Sequence, residues 1–247
     1  MPASQPPPDI PRADVRTPAF RTKQELVYHT LREEILSCTL QPEQRLVIED
    51  IARRLHVSTI PVREALQLLQ SEGLVETTPH VGAMVAPLSR ESIVDVFSVL
   101  EGLQMVAGRL AAVRADDAAL TRLADYVNAM DEAVNRNQFD AWADLNTRFH
   151  VAISDVPGLP LLRQTNVQAL DRWDRIRRYF YDGVLSPRVP QAQREHHDLL
   201  NALTSRDAGA VGSVTRQHYR AAMAAYLDYF DGKEACGGEE SQEGQEG

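Results

Sequence analysis

From Arg90 to about Tyr229 the apolar residues recur at helical spacing with no competing strand period, so this stretch can fold only as a bundle of helices. Its breaks fall near Ala115-Asp116, Asn135 to Gln138, Val156-Pro157-Gly158, Gly183 to Pro190 and Ser205 to Asp207, where turn-forming and helix-breaking residues gather. Such breaks divide the stretch into an antiparallel bundle of about six helices.

Ahead of the bundle the pattern is different. Lys23 to Thr39 carries a first helical period through Leu26, Val27, Leu31 and Ile35, and it stops before Gln41-Pro42. A second, short helix repeats apolar positions at Ile48, Ile51, Ala52 and Leu55. After His56-Val57 a third helix runs from Ser58 or Thr59 to about Glu72, with Pro61 tolerated in its first turn and Gly73 closing it. Leu74 to Ala86 then reads as two short strands around Pro79 to Gly82. The fold expected is mainly α: an N-terminal winged helix-turn-helix of three helices plus a small β-hairpin wing, and a C-terminal all-α antiparallel bundle.

The ends carry no apolar pattern. Five prolines in the first eleven residues make 1–20 a disordered arm, and the glutamate- and glycine-rich run 232–247 reads as an acidic, disordered tail. The domains expected between them are 21–89 and 90–231. Cys38 and Cys236 lie far apart without a ligand-like spacing, so neither a disulfide framework nor a thiolate zinc site is expected, which fits a reducing cytoplasm. No signal-peptide core and no run of about 18 apolar residues is seen, so no membrane partner is expected.

The helix-turn-helix places the second helix of the pair in the major groove of double-stranded DNA, N-terminus first. There stand Ser58, Thr59 and Arg63, with Arg53 and Arg54 closing the preceding helix. A planar guanidinium suits phosphate or guanine, hydroxyls reach phosphates, and glycine at Gly82 lets a wing backbone approach the groove. The net charge of -9 opposes nucleic-acid binding, and acidic side chains slightly outnumber basic ones between residues 18 and 88. A local patch has to carry the contact.

Three of the seven histidines fall on different helices of the bundle: His150, His196 and His218. His196 and His218 lie some ten residues on either side of the Ser205 to Asp207 turn, which puts both about 15 Å from it and at one level. Asn146 shares a face with His150, whereas Asp144 is turned about 240° away and His197 is a bystander. Three imidazoles and one oxygen suit a divalent metal, zinc or nickel, with open positions for a ligand. Such a centre also occurs in hydrolases, and Glu195 is the one candidate base. No nucleophile motif, phosphate loop or dinucleotide fingerprint accompanies it, so no enzyme is expected. A metal-sensing regulator is the other alternative.

Two resemblances bear on these residues. The string from Ser58 to Val75, with Gly82 to Ser89 after it, resembles the recognition helix and wing of the GntR family of bacterial transcription regulators. That resemblance implies operator contacts from Ser58, Thr59 and Arg63, phosphate contacts from Arg53 or Arg54, and a wing at Gly82 reaching the minor groove. Asn146 with Phe149-His150, Glu195-His196 and Gln217-His218, in that order, is similar to the all-helical FCD effector domain. It implies a ligand-responsive repressor that binds a palindromic operator as a homodimer, with a small organic acid bound near a metal on Asn146, His150, His196 and His218. Arg148, Arg175 and Arg178 are the candidates for holding the effector's carboxylate.

Overall fold

The computed structural model describes residues 22–78 and 82–240, with side chains through 232. The arm at 1–20, the wing tip at 79–81 and residues 241–247 lie outside the described residues.

Helix α1 (Lys23–Leu36) starts where the Thr22 hydroxyl accepts from the Glu25 amide, satisfying one of the free N–H groups of its first turn. It buries Val27, Leu31 and Ile35 and ends three residues before the expected Thr39, because Cys38 takes a left-handed backbone. Strand β1 (Arg45–Leu46) follows, then α2 (Ile48–Arg54) and α3 (Thr59–Ser71), whose apolar face seats Val62, Ala65, Leu66 and Leu69 against α1. Gly73, at φ 69°, turns the chain into β2 (Val75–Thr78), which pairs antiparallel with β3 (Gly82–Val85), Val75 opposite Val85. β1 adds to the far side of β3, Arg45 opposite Met84, so the wing is a three-stranded sheet in the order β1-β3-β2.

A reciprocal cap between Ser89 and Ser92 opens α4 (Arg90–Arg114). Then come α5 (Asp117–Asn135), α6 (Phe139–Asp155), α7 (Pro160–Tyr179), α8 (Ser186–Thr204) and α9 (Ala208–Glu240). α4 is the central rod, and it packs tightly on α9 at Gly108, where an added Cβ would stand 2.8 Å from Val211 Cγ1. By length and composition α4 alone among the described helices could cross a bilayer, with a mean hydropathy of 1.4 over its most apolar window. Its Ile93, Phe97, Leu100, Ala107 and Ala111 are instead buried in the bundle core.

Two boundaries differ from the sequence expectation. The break at Gly183 to Pro190 is not a loop: α7 ends at the turn residue Phe180, and one π turn, Tyr181–Leu185, leads directly into α8. Pro187 and Pro190 stand early in α8, and the wide π turn ahead of them takes up the misfit of rings that lack an N–H. At the C-terminus, helical backbone continues through residues 232–240, where the sequence reading begins a disordered tail. The two domains meet along α7. Arg32 of α1 bonds Asp171 at 2.9 Å and Glu72 at 3.2 Å, Arg172 donates to the Glu72 carbonyl, and Arg175 donates to the Ala86 carbonyl.

Candidate nucleic-acid interface and candidate metal centre

At the N-terminus of α3 the Ser58 hydroxyl makes no capping bond, so it is left for another partner. Ser58 and Arg63 are exposed, Thr59 is half-buried, and Arg63 has no ion pair among the described residues. Arg53 reaches only its neighbour Asp50, at 3.0 Å. Arg54 is differently engaged, holding Glu34 through both nitrogens at 2.7 and 2.8 Å, which ties α2 to α1. Gly82 stands exposed at the start of β3 with φ 101°, a backbone that a side chain would strain. Two surface residues beside this patch were not singled out from sequence. Ile60 is 65% exposed on the turn that carries Thr59, out of phase with the buried face, and that phase error is its sequence signal. Arg45 is exposed on β1, a two-residue strand too short to show a period.

In the bundle α6, α8 and α9 bring His150, His196 and His218 together, with one ligand atom from each within 4.8 Å of the others. Their exposures are 2%, 0% and 8%. Asn146, one turn before His150, is buried with them, and its Oδ1 has no hydrogen-bond partner among the described residues. Neither ring nitrogen of His196 has one either. Burial, and next the neighbouring His218, holds the His150 and His196 imidazoles well below their ordinary range, so both are neutral near pH 7.

The surrounding groups fix the rings. The Glu195 carboxylate accepts from His218 Nδ1 at 2.7 Å and from Arg188 at 2.6 Å, which leaves His218 Nε2 for another partner. Burial pushes the Glu195 carboxyl up, but the bonds from His218 and Arg188 outweigh it and hold it down at about 2. His150 Nδ1 lies 3.4 Å from Gln104 Oε1 and 3.3 Å from the Tyr219 hydroxyl, so its Nε2 is likewise the free nitrogen. Three buried imidazoles, each with a ring nitrogen unshared among the described residues, and one orphaned amide oxygen form a donor set that fits a divalent metal.

Glu195 is thus a positioning group, bonded across the helix pair to His218, and not a base pointed at open space. Asp144 lies outside the cluster and bonds Arg177 at 2.8 Å, and His197 bonds Asp131 at 2.9 Å on the surface. None of the three arginines expected to hold an effector reaches the cavity beside the cluster. Arg148 is exposed, Arg178 approaches Asp144 at 4.0 Å, and Arg175 is buried at the domain seam. The cation that lines the cavity is Arg188. It was missed because the expected loop at Gly183 to Pro190 contained it; in the continuous helix it stands two turns before Glu195, on the same face.

Family models match both parts of the chain: bacterial regulatory proteins of the gntR family over residues 23–85, and the FCD domain over residues 95–221. The chain is 27% identical to the HTH-type transcriptional repressor RspR of Escherichia coli over 192 residues, which cover 78% of this chain and 83% of that one. It is 30% identical over 203 residues to an HTH-type transcriptional regulator in an unstable DNA locus of Streptomyces ambofaciens, with 81% and 84% covered. Among solved structures, E. coli McbR/YncC superposes with a TM-score of 0.68 at 21% identity, covering 85% of this chain and all of that one. A transcriptional regulator of Rhodococcus gives 0.67 at 21% identity, with 83% and 97% covered. The fold and the reader define a DNA-binding transcriptional regulator. The chain belongs to the gntR family of bacterial regulatory proteins and carries an FCD domain.

Proposed function

We propose that this regulator is a ligand-responsive repressor that binds a palindromic operator as a homodimer. A small carboxylate-type metabolite, bound near a divalent metal such as zinc or nickel in the C-terminal domain, controls it. The observation that carries the reading is the set of buried atoms left without partners at the meeting of the three histidines: Asn146 Oδ1 and both ring nitrogens of His196. Native proteins pair almost every buried polar atom, so an orphaned set converging on one point is best explained by an ion. When bound, the dication supplies a Lewis-acid position for a carboxylate oxygen. Asn146, His150, His196 and His218 would hold it, while Glu195 and Gln104 orient two of the rings.

Ser58, Thr59 and Arg63 are the base- and phosphate-contacting groups in this reading, with Arg53, the wing at Gly82, Ile60 and Arg45 beside them. Ile60 suits a thymine methyl and Arg45 a phosphate. Arg54 contributes chiefly by bracing α2. A homodimer is supported by α4, which exposes Val99, Val106 and Val113 at seven-residue intervals, the spacing of a helix-pairing seam.

The test is operator binding by mobility shift on a palindrome selected from random duplexes, with zinc and a carboxylate panel. Arg63→Ala should weaken binding at least tenfold, and unchanged affinity would remove Arg63 from the interface. Carboxylate binding that requires zinc supports the effector reading. Release of DNA by zinc alone would favour a regulator for which the ion is the signal, a reading that the neutral Asn146 supports because it implies a weaker, reversible site.

A further inference from the structure

The cavity beside the histidines has a volume of about 30 Å³, and the open space around it, out to and including its mouth, amounts to about 480 Å³. One end is polar, with Asn146, His150, His218 and Arg188, and Arg188 is the only lysine or arginine lining it among the described residues. The rest of the wall is apolar, including Phe97, Leu170, Trp173, Val184 and Ala222, apart from the hydroxyls of Tyr219 and Tyr226. On α9 the lining residues His218, Tyr219, Ala222 and Tyr226 share one face. The eight steps from His218 to Tyr226 rise about 12 Å, so the lining extends beyond what a bare carboxylate would touch. The Tyr226 hydroxyl is buried and has no hydrogen-bond partner among the described residues.

We infer that the ligand is a monocarboxylate with an aromatic or branched aliphatic body, which deepens, and rests on, the effector reading above. Arg188 takes the carboxylate. Its guanidinium has five N–H donors, and Glu195 and the His218 carbonyl occupy those of Nη2 and one of Nη1, leaving Nε–H and one Nη1–H for a ligand. The body lies against Phe97, Trp173 and Leu170, and a hydroxyl or carbonyl on its far end, where present, meets Tyr226. Sugar acids and polycarboxylates fit poorly, because their extra polar groups would be buried against an apolar wall that offers no cation.

Both tryptophans of the chain, Trp142 and Trp173, line this cavity, so intrinsic fluorescence reports its occupancy. The experiment titrates zinc-loaded full-length protein with phenylacetate, 3-methylbutanoate, acetate, citrate and glucuronate, followed by fluorescence and calorimetry. Phenylacetate or 3-methylbutanoate should shift the emission and bind at least tenfold more tightly than the other three. Arg188→Gln should cost at least tenfold for the favoured acid. Ala222→Leu, which fills the apolar end, should cost a similar factor with zinc affinity unchanged, and it keeps the test valid if Arg188→Gln fails to fold. Tighter binding of citrate or glucuronate would overturn the apolar-body class and leave the effector reading standing. Failure of all five acids to bind would overturn both.

Discussion

Replacing Arg32 with methionine keeps the aliphatic stem on α1 and removes the charge that ties the reader to α7. The guanidinium stands 2.9 Å from Asp171 and 3.2 Å from Glu72, at 23% side-chain exposure against 33% and 32% for the acids. Burial works against the Arg32 charge, and the bonds to Asp171 and Glu72 more than restore it, raising its pKa. At an effective dielectric of about 20, a pair at that distance gains roughly 6 kcal/mol of gross Coulomb energy. Desolvation and the ordering of two long side chains offset most of it, and partly exposed pairs net about 1 kcal/mol, or roughly fivefold in an equilibrium constant. The assay is a double-mutant cycle of Arg32→Met with Asp171→Ala by denaturant unfolding. A coupling of about 1 kcal/mol is expected at 0.15 M salt, shrinking at about 1 M as the Debye length falls to about 3 Å. Singles that add to within about 0.3 kcal/mol at both salt concentrations would refute the claim that this contact joins the domains.

Three further outcomes follow from the same coordinates. Asn146→Asp adds the charge that the donor set lacks, so calorimetric zinc affinity should rise by about tenfold or more; an unchanged affinity would remove Asn146 from the ligand set. Because burial depresses the His150 and His196 imidazoles, the unfolded chain binds protons that the native one refuses as pH falls below about 6.5. The metal-free protein should therefore lose melting temperature from pH 7 to 5.5, with a shallower slope in His196→Phe; a slope identical in the variant would contradict the assignment. Val106 and Val113 are 51% and 69% exposed on α4, so Val106→Glu with Val113→Glu should give a monomer by light scattering, and an intact dimer would move the interface off this face.

What was legible in the sequence was whatever depends on local periodicity. The apolar phase of Val62, Ala65, Leu66 and Leu69 fixed α3, and Gly73 and the β-branched run after it fixed the wing strands β2 and β3. His196 and His218 could be paired because the turn at Ser205 to Asp207 is visible and helical rise is constant, so equal distances from the turn mean equal height. β1 was not legible, since two residues carry no period and the strand exists only because β3 offers it an edge. Glu195 was read as the one candidate base, yet its partner is His218 on α9. Which neighbour a long side chain meets is decided by packing between helices. Arg188 was lost for a related reason: prolines near Gly183 to Pro190 suggested a break, and a π turn repaired it.

That repaired break matters for regulation. The turn residue Phe180 and the π turn join α7 to α8 without a loop. α7 carries Asp171, Arg172 and Arg175 to the reader, and α8 carries Arg188 to the cavity and His196 to the histidine cluster. The π turn itself supplies Val184 and Leu185 to the cavity wall, and the Tyr229 ring fills the space where a side chain at Gly183 would stand. A loop at this point would let the two ends move independently. A helix does not, because its hydrogen bonds transmit displacement along the axis, and π turns collect at functional positions where that register is adjustable. Linkage requires that a ligand bind two arrangements of the protein unequally. On the function proposed above, a ligand that contacts Arg188 would act on the segment that Arg32 holds through Asp171, and Arg32 and Glu72 join that segment to α1 and α3.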